Sequence, residues 1–358
     1  RGVAVSGKAA QYRGRLREAV RTLAPGYFAL VMATGIISIG LRLEDFMLLS
    51  NVLLVIGSAS YLLLIALTLW RIIAFSTAVA KDVKDPATAF GFFTFVAATN
   101  VLGARLAMDW GVLIPTVLLA LSGVTWIVSG YAIPWAVMLG RQAKPVLRDV
   151  NGTWFIWAVA SQSLAVLSAA LEPLLTGIRD LLSVVAIVSW SVGLILYAVI
   201  GISVIVRLLT HGIAPEEFGP AYWVAMGAAA ITVLAGSRIV EMLDTPMVSV
   251  TRGIVAGGSA VLWSFASWLI PVLVAIGWWR HVRHRIRLAY SPDLWGIVFP
   301  LGMYAVAGIY LGQADHLPLV GAIGSVFLWV AVASWLATFV AMFLAPVLPP
   351  SPRRNSRE

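Results

Sequence analysis

The sequence predicts an all-α integral membrane protein: ten transmembrane helices, joined as five helical hairpins in a quasi-fivefold arrangement around a central pore. Three observations predict it. Hydrophobic residues make up 60% of the 358-residue chain and charged residues 11%, with a mean hydropathy of +0.93, outside the range of soluble globular domains. Ten apolar stretches are long enough to cross a hydrocarbon core about 30 Å thick, which takes roughly 20 helical residues. Five of them open alike, on a helix breaker and a glycine-aromatic cluster, with lead glycines at 26, 91, 152, 219 and 296. The spacings of 65, 61, 67 and 77 residues each fit one hairpin. Repetition on that scale is a property of transport proteins, whose substrate path lies at the repeat interface.

The spans follow in order. The first, 25–41, opens on Pro25-Gly26-Tyr27-Phe28 and is returned by 46–72. The third, 87–107, opens on Phe90-Gly91-Phe92-Phe93 after Pro86, and 111–139 returns it. The fifth, 152–171, opens on Gly152-Thr153-Trp154-Phe155 after Asn151, followed by 181–207. The seventh, 218–238, opens on Gly219-Pro220-Ala221-Tyr222-Trp223, followed by 253–279. The ninth, 293–312, opens on Trp295-Gly296 after Pro292, and 320–345 closes the set. Asp85-Pro86 and Ser291-Pro292 place a capping side chain ahead of a proline at the first helical position, where the missing N–H costs nothing. Residues 24–345 form one membrane domain, preceded by a basic segment, 1–23, and followed by a disordered tail, 346–358. The first apolar run belongs to the repeat, which argues against a cleaved signal peptide.

The net charge of +9 is topological rather than a nucleic-acid signal. With the N-terminus inside, one face carries 20 Lys and Arg and the other five: Arg42, Arg105, Arg179, Arg238 and Arg252. The positive-inside rule puts both termini in the cytoplasm of a cell-membrane protein. Cysteine is absent, which excludes disulfides and thiolate chemistry. Every Asp and Glu, and all four histidines, fall at span ends or in loops, so no carboxylate or imidazole at mid-depth suggests ion coupling. The same census offers no acidic motif for a metal or phosphate, no catalytic residue and no cofactor ligand. Passive conduction is favoured over coupled pumping and over a membrane enzyme.

Polar residues at depth are uncharged and sit mainly on odd spans. Thr34, Gly35, Thr99, Asn100, Ser161 and Gly227, with Phe28 at the first opening, are the candidate pore lining; Thr34 and Thr99 share the eighth position after their lead glycines. Hydroxyl and amide dipoles there would stabilise an ion without trapping it. The alternative is interhelical hydrogen bonding. Arg42, Arg105 and Arg238, at the outer ends of spans 1, 3 and 7, are candidate cations around an outer mouth. Pairing with Glu44, Asp45, Asp109 and Glu241 is their alternative.

The ninth span carries Trp295-Gly296-Ile297-Val298-Phe299-Pro300-Leu301-Gly302, in which Pro300 removes a backbone hydrogen bond and kinks the helix while Gly296 and Gly302 leave room beside Phe299. This Trp-x-x-x-Phe-Pro pattern, with the Pro-Gly-Tyr-Phe opening of the first span, resembles the tellurite-resistance/C4-dicarboxylate transporter family. That family includes the slow anion channel of plant guard cells, its bacterial homologue, and yeast malate and sulfite exporters. The resemblance spans residues 24–345. It implies a homotrimer with one pore per protomer, five odd helices forming the conduit inside five even ones, and Phe299 as the pore gate. It also implies a small inorganic or organic anion as the substrate, with a secondary carrier for dicarboxylate, sulfite or a tellurium oxyanion as the alternative. Spans 1, 3, 5 and 7 lack the central proline, so glycines such as Gly35 and Gly227 would supply their bends.

Overall fold

The computed structural model describes residues 14–139 and 146–345. Within them run ten long apolar helices: α1 (Pro25–Leu43), α2 (Met47–Ala74), α3 (Ala89–Ala107), α4 (Leu113–Met138), α5 (Gly152–Leu174), α6 (Thr176–His211), α7 (Pro220–Val240), α8 (Pro246–Arg283), α9 (Pro292–Ala314) and α10 (Pro318–Leu344). No strand occurs among the described residues. The tail at 346–358 and the first 13 residues of the basic segment lie outside them; residues 14–21 are helical.

The helices sort into two layers. Over their most apolar 18 residues, α1, α3, α5, α7 and α9 are 72, 83, 89, 78 and 83% buried, against 28, 17, 28, 11 and 22% for the even helices. The sequence explains the split. Odd helices are rich in Gly, Ala, Ser and Thr, which let backbones approach closely. Even helices turn outward the large aliphatics, such as Leu48, Ile73, Leu209 and Val250, that match lipid chains. Each odd helix packs on the next odd helix, and α9 packs back on α1, so the five inner helices form a closed circuit of contacts.

The repeated openings have one local structure. Pro25–Phe28, Ala89–Phe92, Gly152–Trp154, Pro220–Trp223 and Pro292–Leu294 are 3-10 turns leading into α-helix. Three of them carry proline at the first helical positions, where its fixed φ suits the turn. The five turns touch one another in the same circuit as the helices behind them. Two lead glycines exist for that contact. A Cβ on Gly91 would stand 3.1 Å from the amide nitrogen of Gly26, and one on Gly152 would overlap the backbone of Ala221 and Tyr222. Main-chain atoms cannot rotate aside, and overpacking a tight site costs about 1–3 kcal/mol or more. Detergent-solubilised Gly152→Ala is therefore expected to melt several degrees below wild type, whereas Gly26→Ala, with open space around its Cβ, melts with it. Equal melting of all three proteins would show that the turn ring is not tight.

Several helix ends depart from expectation. Asp85 does not cap α3; its carboxylate accepts the amide of Ala87 at 3.0 Å, closing a local turn, and the helix starts at Ala89. Ser291 stands at the cap position of α9 but contributes its carbonyl, to the amide of Leu294, rather than its hydroxyl. The eighth span begins at Pro246 instead of 253. Thr245 caps it through Val248, and Arg252, which reads as a loop charge, is satisfied inside the helix by the carbonyls of Val240 and Met242 and by Asp244. A long cation reaching back to carbonyls does not end a helix.

Candidate functional site

Two cavities lie along the inside of the odd-helix circuit. The first, about 120 Å³, sits at the near end, where the odd helices begin, and takes Met32 from α1, Thr94 from α3, Ile156 from α5, Val224 from α7, and Gly296 and Phe299 from α9. Asp293 is its one acidic lining residue. The second, about 210 Å³, sits at the far end, with Ile39, Ala104, Val166, Leu234 and Tyr310 contributed by the same five helices in turn, and Arg238 from α7. On each odd helix the nearest residues named for the two cavities are seven to eleven positions apart, about 10–17 Å of rise, and the residues between them are mostly fully buried.

Phe299 is fully buried and forms part of the near cavity's inner wall. Its direction follows from its neighbours. Gly227 on α7 has no Cβ, and one built there would touch Pro300 Cγ at 2.9 Å, so Pro300 faces α7. A Cβ on Gly302 would touch Ile36 and Ile37 at 2.9 and 3.0 Å, so Gly302 faces α1. At about 100° per residue, Phe299 falls between these two directions, on the side open to the cavity. Gly296 lies one turn earlier on the same wall, 3.6 Å by its virtual Cβ from the carbonyl of Pro220.

The other lining candidates point elsewhere. Thr34 donates to the carbonyl of Leu30 and accepts from Trp335 Nε1 on α10 at 2.9 Å. Thr99 meets the Tyr61 hydroxyl on α2 at 2.7 Å. Asn100 accepts from Ser122 on α4 and donates to Ser163 on α5, and Ser161 accepts from Trp126 Nε1 on α4 at 2.9 Å. Phe28 lies edge-on to Tyr61 and Phe95, with ring centroids 6.1 and 5.3 Å away. Gly35 is pressed against Val101 of α3, and Gly227 against Pro300. None of these seven touches either cavity. The polar ones are staples between layers: a buried hydroxyl or amide in an apolar bundle must find a partner, and the even helices supply it. The partners were the missed signal. Tyr61, Trp126 and Trp335 sit far inside even spans instead of at the interfacial belts where aromatics collect. A mid-depth Trp N–H or Tyr O–H asks for an acceptor on the neighbouring helix.

The three arginines do not ring the far mouth together. Arg105 is fully buried and reaches back between α1 and α2: Nε donates to Ser38 and Ser50 at 3.0 and 3.1 Å, Nη2 to Asn51 at 3.0 Å and Nη1 to Asp109 at 2.7 Å. Arg42 forks onto the same Asp109 through Nε and Nη2. Arg238 alone of the three lines the far cavity. The hydrogen bonds from Arg42, and then from Arg105, hold the Asp109 carboxyl below the usual carboxylate range. A depressed folded pKa contributes stability above the unfolded value, and that contribution is lost as pH falls through the folded one. Wild type is therefore expected to melt above Asp109→Asn at pH 7, with the gap narrowing below about pH 4, near the ordinary Asp pKa. A gap that ignores pH would separate Asp109's effect from its charge.

Two layers of apolar helices around paired cavities, with charge kept to the ends, define a helical membrane protein of the transporter and channel class. The chain belongs to the SLAC1 family, the voltage-dependent anion channels, whose sequence profile matches residues 22–343. It is 24% identical over 337 residues to an uncharacterized transporter of Methanocaldococcus jannaschii, covering 90% of this chain and 92% of that one. A second uncharacterized transporter of the same organism is 21% identical over 333 residues, covering 90 and 94%. An uncharacterized membrane protein of Mycobacterium tuberculosis is 56% identical over 147 residues, 41% of this chain and 75% of the relative. The resemblance carried by the ninth-span motif is borne out, and the protein is a multi-pass membrane transporter of the anion channel/transporter type.

Proposed function

We propose that this protein is a gated anion channel in which Phe299 occludes the conduit between the two cavities. The observation that carries the reading is the seating of Phe299: Pro300 against α7 and Gly302 against α1 aim its ring into the near cavity, at the start of the buried stretch. The circuit of odd-helix contacts supports a quasi-fivefold conduit within residues 24–345. Five helix N-termini converge on the near cavity, and their aligned amides favour a negative ion there. No carboxylate or histidine lies between the two cavities, so passage needs no bound proton or cation to complete a cycle.

In this reading the protein lies in the cell membrane with its near end and both termini on the cytoplasmic side, and it assembles as a homotrimer with one conduit per protomer. The substrate is a small monovalent anion. Recording from planar bilayers with chloride, nitrate, sulfite and malate in turn tests the reading. Currents through Phe299→Ala whose reversal potential follows the anion gradient support a channel. Saturable, proton-dependent malate or sulfite uptake without unitary current would replace it with a carrier.

A further inference from the structure

We propose that Arg238 and Tyr310 form an anion-recruiting site in the far cavity, and that this pair sets anion selectivity at that mouth; the inference rests on the channel reading above. The far end has an electrostatic problem that the near end lacks. Five helix C-termini converge there, and their unpaired carbonyls are equivalent to about half a negative charge each. The cavity wall is otherwise apolar: Ile39, Ala104, Val166 and Leu234 offer an anion no donor. An anion leaving or entering at this end meets a repulsive, poorly solvating vestibule unless a cation stands in it.

Arg238 is that cation. It lies in the last turn of α7, and its guanidinium sits 5.0 Å over the ring of Tyr310, on α9. The ring fixes the orientation of a side chain that would otherwise swing into solvent. Nη1 donates to Glu241 at 3.0 Å, while Nε and Nη2 have no partner among the described residues. The hydroxyl of Tyr310, a residue that lines the same cavity, also has none among the described residues. The three N–H groups of Nε and Nη2 and one phenol O–H are thus left for an ion at a space of about 210 Å³. That number of donors holds a small anion loosely, which conduction requires. Glu241 does not line the cavity; its ion pair with Nη1 moderates the charge.

The test is made in the Phe299→Ala protein, recorded in planar bilayers with chloride as the probe. Adding Arg238→Gln is expected to cut chloride conductance about fivefold at low ionic strength, the size of one unit charge acting over about 4 Å at the dielectric of water, which the open mouth holds. The anion-to-cation permeability ratio should fall with it. The loss should shrink towards 1 M salt, where screening acts within about 3 Å. Arg238→Lys should recover most of the conductance, Tyr310→Phe should lower it less than Arg238→Gln, and Glu241→Gln should raise it. If Arg238→Gln does not fold, the opposite effects of Tyr310→Phe and Glu241→Gln carry the test. Conduction by Phe299→Ala that is indifferent to all of these changes overturns the inference alone. Silence of Phe299→Ala itself overturns the channel reading, and this inference with it.

Discussion

Shortening the side chain at position 299 is expected to open the protein in steps. Phe299→Leu, Phe299→Val and Phe299→Ala should conduct chloride in rising order, with Phe299→Ala at least about tenfold above wild type, equivalent to about 1.4 kcal/mol off the barrier. The physical reason is local. The ring stands on the wall of the near cavity, so its removal should both widen the passage and make wetting easier. Truncating a well-packed core phenylalanine costs about 3–5 kcal/mol because an empty cavity remains. A gate beside a hydrated space should cost less, since water enters the vacated volume. The pair of outcomes is therefore diagnostic: higher current with a small loss of melting temperature marks a gate. A large loss of stability with no current marks an ordinary core residue and removes Phe299 from the pathway.

The count of helices and the proline inside the ninth were legible because each rests on a one-dimensional signal: run length between breakers, and a proline within an apolar run. The two layers were also foreshadowed, by the small residues of α3 and α7, although α10 is similarly rich in them and yet faces outward. What the chain could not display was direction around each helix. Thr34, Thr99, Asn100 and Ser161 share a depth, and depth can be read from spacing. Whether a hydroxyl turns toward an axis or toward the helix behind depends on who offers a partner there. Tyr61, Ser122, Trp126 and Trp335 do, all of them on even helices. Phe299 differed because its helix carries its own orientation markers: Pro300 and Gly302 each need a close neighbour, and those neighbours fix the third direction. The glycines at 91 and 152 made the repeat visible for a related reason, since only a missing Cβ lets the opening turns touch.

Arg105→Ala is expected to be among the most destabilising single substitutions in the membrane domain, and to act on folding rather than on selectivity. From sequence, Arg105 and Arg238 are alike: each lies in the last turn of an odd helix with an acidic residue three or four positions on. The structure separates them by burial. Arg105 has no exposed surface, and its guanidinium joins α1, α2 and the loop after α3 through Ser38, Ser50, Asn51 and Asp109. Removing it leaves those groups facing a void, and deleting one partner of a buried ion pair costs about 3–5 kcal/mol. Arg105→Lys should rescue little, because a single ammonium cannot span acceptors that a planar fork reaches in three directions. Size-exclusion profiles and melting of the detergent-solubilised protein should show Arg105→Ala as aggregated or strongly destabilised, while Arg238→Gln elutes and melts near wild type. Where folded Arg105→Ala can be recovered in the Phe299→Ala background, its permeability ratio should match that of Phe299→Ala alone. A stable Arg105→Ala protein with altered selectivity would restore Arg105 to the mouth, and would mean that the Ser38, Ser50 and Asn51 contacts are not what holds it.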